Sequence, residues 1–169
     1  MNNRDYKNFV KGEYYHIYNR GHNKMPIFID NNDYDFFMLR LRQNLGEVFI
    51  HPSRNSYVIK TLPPGSFTLE CYCLMPNHFH FLLQQKGDIS LSKLMGKVCT
   101  SYSKYFNKKY AKVGSLFQDE FKAVRIVSHE QLMRVIEYIH HNPVKDGLVL
   151  NSVDYPYLHN GHHCANLLG

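Results

Sequence analysis

Two histidines separated by one residue, His78 and His80, are the first side chains whose types and spacing could support chemistry. They fall in an apolar run that favours a β-strand, and residues two apart in a strand project from the same face. Two imidazoles side by side can hold a divalent cation, which polarises a phosphate oxygen during attack on a phosphodiester. Taken alone, this pattern is more often a pair of surface or core histidines, so it needs a second element.

Tyr138 and Asn142 form that second element. They lie four residues apart near the end of a predicted helix and therefore share one face. Tyrosine suits a covalent step at phosphorus because its phenoxide leaves readily in the reverse reaction, which conserves bond energy and requires no ATP. Asn142 could supply a third ligand, since a carboxamide oxygen suits Mg²⁺ or Mn²⁺. His141 is a rival third ligand that would suit Zn²⁺ better.

A structural zinc site is an alternative use of the two histidines. Cys71 and Cys73 precede the turn before His78, and they point the same way on their strand. Zinc would require the cysteine pair and the histidine pair to meet on one face, and it would leave the tyrosine and the asparagine unused. The sequence therefore favours phosphodiester chemistry over structural zinc.

The elements that must position these residues follow the order strand, helix, hairpin, helix, strand, helix. Apolar periodicity and capping residues place strands over residues 14–20, 66–75, 78–85 and 121–127, and helices over residues 34–45, 91–106 and 129–142. Ser128 is the predicted N-cap of the last helix, and Pro143 is expected to end it. Residues 51–65 are rich in proline and serine, and the end of this stretch is predicted to be a loop, whatever the structure of residues 57–59. This order indicates an α+β fold with helices covering a mostly antiparallel sheet.

The chain has 169 residues, of which 44% are hydrophobic, and this is enough for one packed core. We expect residues 1–150 to form the catalytic domain. Residues 151–169 show no periodicity, and we expect a loosely packed extension or the remnant of a longer segment, rather than a separate domain.

A formal net charge of +6 and a pI near 9.1 favour a polyanionic partner. Lysines in the second predicted helix interleave with tyrosines, which suits either phosphate contacts with base stacking or simply a solvated helix face. The predicted DNA-binding residues are Asn19, Arg20, Lys93, Lys97, Lys104, Lys108, Lys109 and Lys122.

The four cysteines form no CxxC pair, and the N-terminal residues lack the charged-then-apolar pattern of a signal peptide. No apolar stretch approaches the roughly 18 to 20 residues that cross a bilayer. We therefore expect a cytoplasmic protein without a membrane partner.

The segments CLMPNHFHFLL (residues 73–83) and YIHHNPVKDGLV (residues 138–149) resemble the two signatures of the REP-associated tyrosine transposases. These belong to the HUH class, in which two histidines flank a hydrophobic residue. Shorter similarities occur at NRG (residues 19–21), IF (residues 27–28) and GSLFQ (residues 114–118), so the resemblance runs from about residue 13 to residue 150.

This resemblance implies a ferredoxin/RRM-like HUH domain. It implies that His78 and His80 bind Mg²⁺ or Mn²⁺, that Asn142 is the third ligand, and that Tyr138 attacks the scissile phosphate. The products would be a 5′-phosphotyrosine and a free 3′-OH. The implied substrate is single-stranded DNA with a hairpin or palindromic repeat, cut and rejoined by a monomer or homodimer without a nucleotide cofactor.

Asp119 and Glu120 depart from the family pattern, in which a basic pair usually precedes Phe-Lys. Carboxylates beside a phosphate backbone are unfavourable, so they put the DNA groove near this loop in doubt. The alternative to an enzyme is a domesticated DNA- or RNA-binding module of the same fold. The intact set of histidines, tyrosine and asparagine favours the enzyme.

Overall fold

The computed structural model describes residues 8–47 and 61–160. Its strands are β1 (Tyr14–Arg20), β2 (Phe67–Met75), β3 (His78–Gln85), β4 (Lys122–Ile126) and β5 (Leu158–Asn160), and its helices are α1 (Asn31–Leu45), α2 (Leu91–Lys109) and α3 (His129–Lys145). The strands form one antiparallel sheet in the order β4-β1-β3-β2-β5. The predicted α+β class is confirmed. The loop predicted for the end of the stretch 51–65 is confirmed at residues 61–65, and residues 51–60 lie outside the described residues.

The ends of the helices follow from local chemistry. Asp30 caps α1 in a capping box with Asp33, and each side chain accepts from the backbone N–H of the other. Gly46 ends α1 with φ 83°, a left-handed conformation that costs glycine little. Ser128 caps α3 by accepting from the backbone N–H of Gln131, as its position in the sequence predicts.

Strand alternation divides the core between the two faces of the sheet. The α1/α2 face carries a large aromatic and aliphatic cluster that includes Phe79 and Phe81 of β3. The opposite face, here called the α3 face, carries a smaller cluster that includes Leu82 of β3 and Ile136 and Ile139 of α3. Because successive strand residues alternate, every even-numbered residue of β3 points toward α3.

The prediction that Pro143 ends the last helix is wrong, because α3 continues through Pro143 to Lys145. The turn beyond the proline closes with hydrogen bonds from Asp146 N to Asn142 O at 3.0 Å and from Leu148 N to Pro143 O at 2.9 Å. Pro143 is itself buried. These contacts outweigh the preference of a pre-proline residue for extended geometry.

The expectation of a loosely packed tail is also wrong as far as residue 160. β5 pairs with β2 as an edge strand, and the Tyr155 hydroxyl donates to Leu74 O at 2.8 Å. The Tyr157 ring stacks on Tyr34 of α1 with centroids 3.6 Å apart. Two tyrosines thus anchor a segment in which sequence periodicity is absent.

Candidate active site

His78 and His80 project together from β3 toward α3, as their spacing predicts. Antiparallel pairing sets His80 opposite Tyr18 of β1 and His78 opposite Arg20. The ring centroids of the two histidines are 5.1 Å apart. His80 is buried, whereas His78 is partly exposed at the start of its strand.

Tyr138 approaches this pair from α3 of the same chain. Its ring meets the His80 ring edge-on, with centroids 5.4 Å apart, and 43% of the residue is exposed. The ammonium nitrogen of Lys145 lies 5.8 Å from the centroid of the tyrosine ring. The structure therefore brings together, in one chain, the histidines and the tyrosine that lie sixty residues apart in the sequence.

Asn142 reaches the same place one helical turn after Tyr138. Its Nδ2 donates to the Tyr138 carbonyl oxygen at 2.7 Å, so its Oδ1 is left for other contacts. The side chain is buried beside the His78 ring, and its amide oxygen favours the protonated form of that imidazole. The amide oxygen is thus directed at the histidines by the helix that carries it.

Asn77 fixes the other side of the His78 ring. Its Nδ2 donates to the Lys24 carbonyl oxygen at 3.2 Å, which leaves Oδ1 to accept from His78 Nδ1 at 2.6 Å. A proton on Nδ1 leaves the lone pair of His78 on Nε2. Gly21 lets the chain fold back tightly over residues 21–25, which carries the Lys24 carbonyl, because a Cβ at Gly21 would lie 2.0 Å from the Met25 carbonyl oxygen.

His16 of β1 is a member of the site that sequence reasoning missed. It is buried, its Nε2 lies 2.9 Å from His80 Nδ1, and its ring also meets Tyr138 edge-on at 5.8 Å between centroids. Its position two residues before Tyr18 places it on the α3 face. The missing information was that β1 is the strand beside β3.

Burial keeps all three imidazoles neutral near pH 7. It lowers the pKa of His16 to about 4 and the pKa of His80 well below its ordinary value. Burial also lowers the pKa of His78, although Asp146 and Asn142, which favour the protonated ring, oppose it. Neutral imidazoles retain the lone pair that a metal ligand needs.

A cavity of about 380 Å³ opens over these groups. The basic side chains of Arg20, Lys24 and Lys122 line it together with the acidic side chains of Asp119 and Asp146. Asp119, which stands where the family pattern usually has a basic residue, thus lies in the wall of the site cavity. Its backbone oxygen accepts from Asn19 Nδ2 at 3.0 Å, a contact that does not depend on the side chain at this position.

The predicted DNA-binding residues separate into two groups. Arg20 and Lys122 line the site cavity, and Asn19 borders it as a buried residue that braces the backbone of its neighbours. The lysines of α2 lie on the other side of the sheet, since α2 packs on the α1/α2 face. Among them, Lys109 donates to the carboxylates of Asp30 and Asp33, at 2.7 Å in each case.

The two zinc alternatives find little support in this geometry. His141 lines a different cavity, between α3 and the segment around Tyr155. Cys73 lies opposite His80 and Cys71 lies opposite Leu82, and both cysteines pack in the apolar cluster of the α3 face. Within residues 8–47 and 61–160, no three histidine, cysteine or acidic side chains come together as a metal site.

Comparison with known proteins settles the family. The model of the IS200-like transposases matches residues 13–142, well over half of the chain. The chain belongs to the IS200-like transposase family. A Haemophilus influenzae relative, whose name assigns it to the REP-associated tyrosine transposases, is 26% identical over 121 residues, which cover 64% of this chain and 67% of the relative.

The fold of this transposase is also similar to a solved structure described as a REP-associated tyrosine transposase bound to a REP hairpin. The two superpose with a TM-score of 0.66 at 18% identity, over 90% of this chain and 79% of the other. The resemblance inferred from the motifs is confirmed. None of the helices described for the transposase is long and apolar enough to cross a membrane.

Proposed function

We propose that this transposase cuts and rejoins single-stranded DNA through a covalent bond to Tyr138. The Tyr138 oxygen attacks the scissile phosphorus, a new O–P bond forms, and the bond from phosphorus to the 3′ oxygen breaks. The phenolic proton passes to solvent, and the departing 3′ oxygen takes up a proton. The products are a 5′-phosphotyrosine and a free 3′-OH, and rejoining reverses the step.

The observation that carries this proposal is the position of the Tyr138 ring beside His80 in a cavity with basic walls. The tyrosine is partly exposed, so a DNA strand in the cavity can reach its hydroxyl. The Lys145 ammonium beside the ring places positive charge near the developing phenolate. Arg20 and Lys122 would hold the phosphates on either side.

We further propose that the site takes Mg²⁺ or Mn²⁺, held by Nε2 of His78, Nε2 of His80 and Oδ1 of Asn142. The fit rests on donor chemistry, because the contacts of Asn77 and Asn142 leave one imidazole lone pair and one amide oxygen for the same space. A carboxamide oxygen suits these harder cations. When bound, such a cation polarises a phosphate oxygen and stabilises the charge of the attack.

The proposed substrate is single-stranded DNA with a hairpin or palindromic repeat. Its support is the similarity in fold to a protein solved with a REP hairpin, together with the net positive charge. Covalent catalysis conserves the energy of the broken bond, so no nucleotide cofactor is needed. The proposed location is the cytoplasm.

The test is a library of single-stranded hairpins, labelled at either end and incubated with the protein and Mn²⁺. DNA labelled at the 3′ end should become attached to the protein, while DNA labelled at the 5′ end should be released as a shorter strand with a 3′-OH. Tyr138→Phe should abolish the adduct. Tyr157→Phe is the matched control, since that hydroxyl bonds Asn31 away from the cavity.

An adduct that persists in Tyr138→Phe would refute the nucleophile. Attachment of the 5′-labelled strand would refute the assignment of a 5′-phosphotyrosine and a free 3′-OH. Tight binding of hairpins with no adduct in the unmodified protein, in either metal, would instead support the non-catalytic binding module.

A further inference from the structure

We propose that His16 is a positioning residue that holds His80 in the one tautomer able to bind a metal ion. This inference rests on the proposed metal site and adds a residue outside the two motifs that predict it. His16 would accept a hydrogen bond from His80 Nδ1–H, so that the lone pair of His80 lies on Nε2.

The geometry of the pair supplies the first step. His16 Nε2 and His80 Nδ1 are 2.9 Å apart, and the two ring planes are inclined by 24° with centroids 5.1 Å apart, so the rings meet edge to edge. Two neutral imidazoles at this distance share a single proton, which belongs to one ring or the other. If His16 carried that proton on Nε2, the proton of His80 would lie on its own Nε2 and would block the ligand position.

The neighbouring ligand shows the same arrangement with a different partner. His78 Nδ1 donates to Asn77 Oδ1, whose orientation is fixed by the bond from Asn77 Nδ2 to the Lys24 carbonyl oxygen. Nε2 of His78 is therefore the free nitrogen. His16 performs for His80 what Asn77 performs for His78, and both rings then keep Nε2 unprotonated.

The sheet explains why a histidine can do this from β1. His16 lies opposite Leu82, one pleat away from the Tyr18 and His80 pair, so it approaches His80 diagonally on the same face. It is buried beneath the site, and its ring also contacts Tyr138 at 5.8 Å between centroids. The His16 ring thus contacts the rings of His80, Tyr138 and Tyr18 and has little freedom to move away from His80.

Outer partners that orient a metal-binding histidine typically change metal affinity by 10-fold to 100-fold when removed. We therefore expect His16→Phe, which keeps a planar ring and removes the acceptor, to weaken Mn²⁺ binding by about 10-fold to 100-fold. His16→Gln can place an amide oxygen near the lost Nε2 and should retain affinity within about threefold. His22→Gln, an exposed histidine of the same part of the chain, is the control and should have no effect.

The measurements are Mn²⁺ titration by electron paramagnetic resonance and ¹⁵N NMR of the histidine rings in the metal-free protein. The unmodified protein should show His80 protonated on Nδ1 and His16 protonated on Nδ1. In His16→Phe, His80 should lose this single tautomer. The NMR experiment requires no metal and no DNA, so it decides the role of His16 even if the protein fails to bind Mn²⁺ or to cleave.

His80 protonated on Nε2 in the unmodified protein would overturn the proposal, and this result does not depend on any variant folding. A folded His16→Phe variant with unchanged Mn²⁺ affinity would also overturn it. Equal losses in His16→Phe and His16→Gln would contradict the acceptor role. Absence of Mn²⁺ binding in the unmodified protein, with the expected tautomers, would refute the proposed metal and leave the orientation of His80 established.

Discussion

The two faces of the sheet bury different kinds of side chains. On the α1/α2 face, Phe37 contacts four aromatic rings and has no exposed surface, and the buried charge of Asp33 is met by Lys109 and by backbone donors. On the α3 face, the buried polar residues include His16 and His80, under an open cavity. The difference indicates that the α1/α2 face contributes most of the stability of the fold. The α3 face can therefore bury polar side chains, which cost stability, at the site.

The largest expected effect is on stability. Phe37→Ala should lower the free energy of unfolding by about 3 to 5 kcal/mol, because it removes a ring from the centre of the aromatic cluster and leaves a cavity. Denaturant unfolding followed by circular dichroism measures this loss. Tyr138→Phe on the other face should change the same free energy by less than about 0.5 kcal/mol. Similar losses in the two variants would break the contrast between the faces.

Asp33→Asn should lower the free energy of unfolding by about 2 kcal/mol. The charged side chain accepts from the backbone N–H groups of Ile29 and Asp30 and from Lys109, and an amide cannot replace all of these. Thermal unfolding measures the effect. Asp35→Asn, an exposed change on the same helix, is the matched control, and an equal loss there would contradict the account.

The same carboxylate should make the fold sensitive to acid. Burial raises the pKa of Asp33, but hydrogen bonds from Lys109, the Ile29 backbone, Tyr110 and the Asp30 backbone outweigh it and lower the pKa below 3.8. The stabilisation is therefore complete above the unfolded pKa and is lost as pH falls through the lower folded value. Stability measured from pH 6 down to about 2 should decline less steeply in Asp33→Asn. Parallel declines would rule out this residue as the cause.

The smallest expected effect concerns DNA binding. Lys122→Ala, in the wall of the site cavity, should reduce the slope of log affinity against log salt by about 0.9, the value for one lost phosphate contact on duplex DNA. Lys104→Ala, on the far side of the sheet, should leave the slope unchanged. Fluorescence anisotropy with a labelled hairpin over a salt series measures both. A larger change in Lys104→Ala would assign DNA binding to α2.

Much of the α3 face could be predicted because its signals are local. The alternation of β3 places His78 and His80 together, and helical spacing places Tyr138 above Asn142 on one side of α3. Capping residues such as Ser128 mark the start of the helix through a single side-chain contact. Each of these inferences needs only a short stretch of sequence.

The remaining features depend on contacts between distant segments. His16 joins the site only because β1 pairs with β3, which nothing within residues 14–20 specifies. β5 forms because Tyr155 and Tyr157 find partners on β2 and α1, although the segment has no strand pattern of its own. The helix continues past Pro143 because tertiary burial outweighs the local preference of Asn142.

The central claim is that the α3 face of a single chain carries the whole site. Mixing two inactive variants, His80→Ala and Tyr138→Phe, tests it directly, because each retains what the other lacks. If histidine and tyrosine act within one chain, the mixture should form no DNA adduct at any protein concentration. Adduct formation that appears on mixing would show that the tyrosine serves the histidines of another chain, and would contradict the site described.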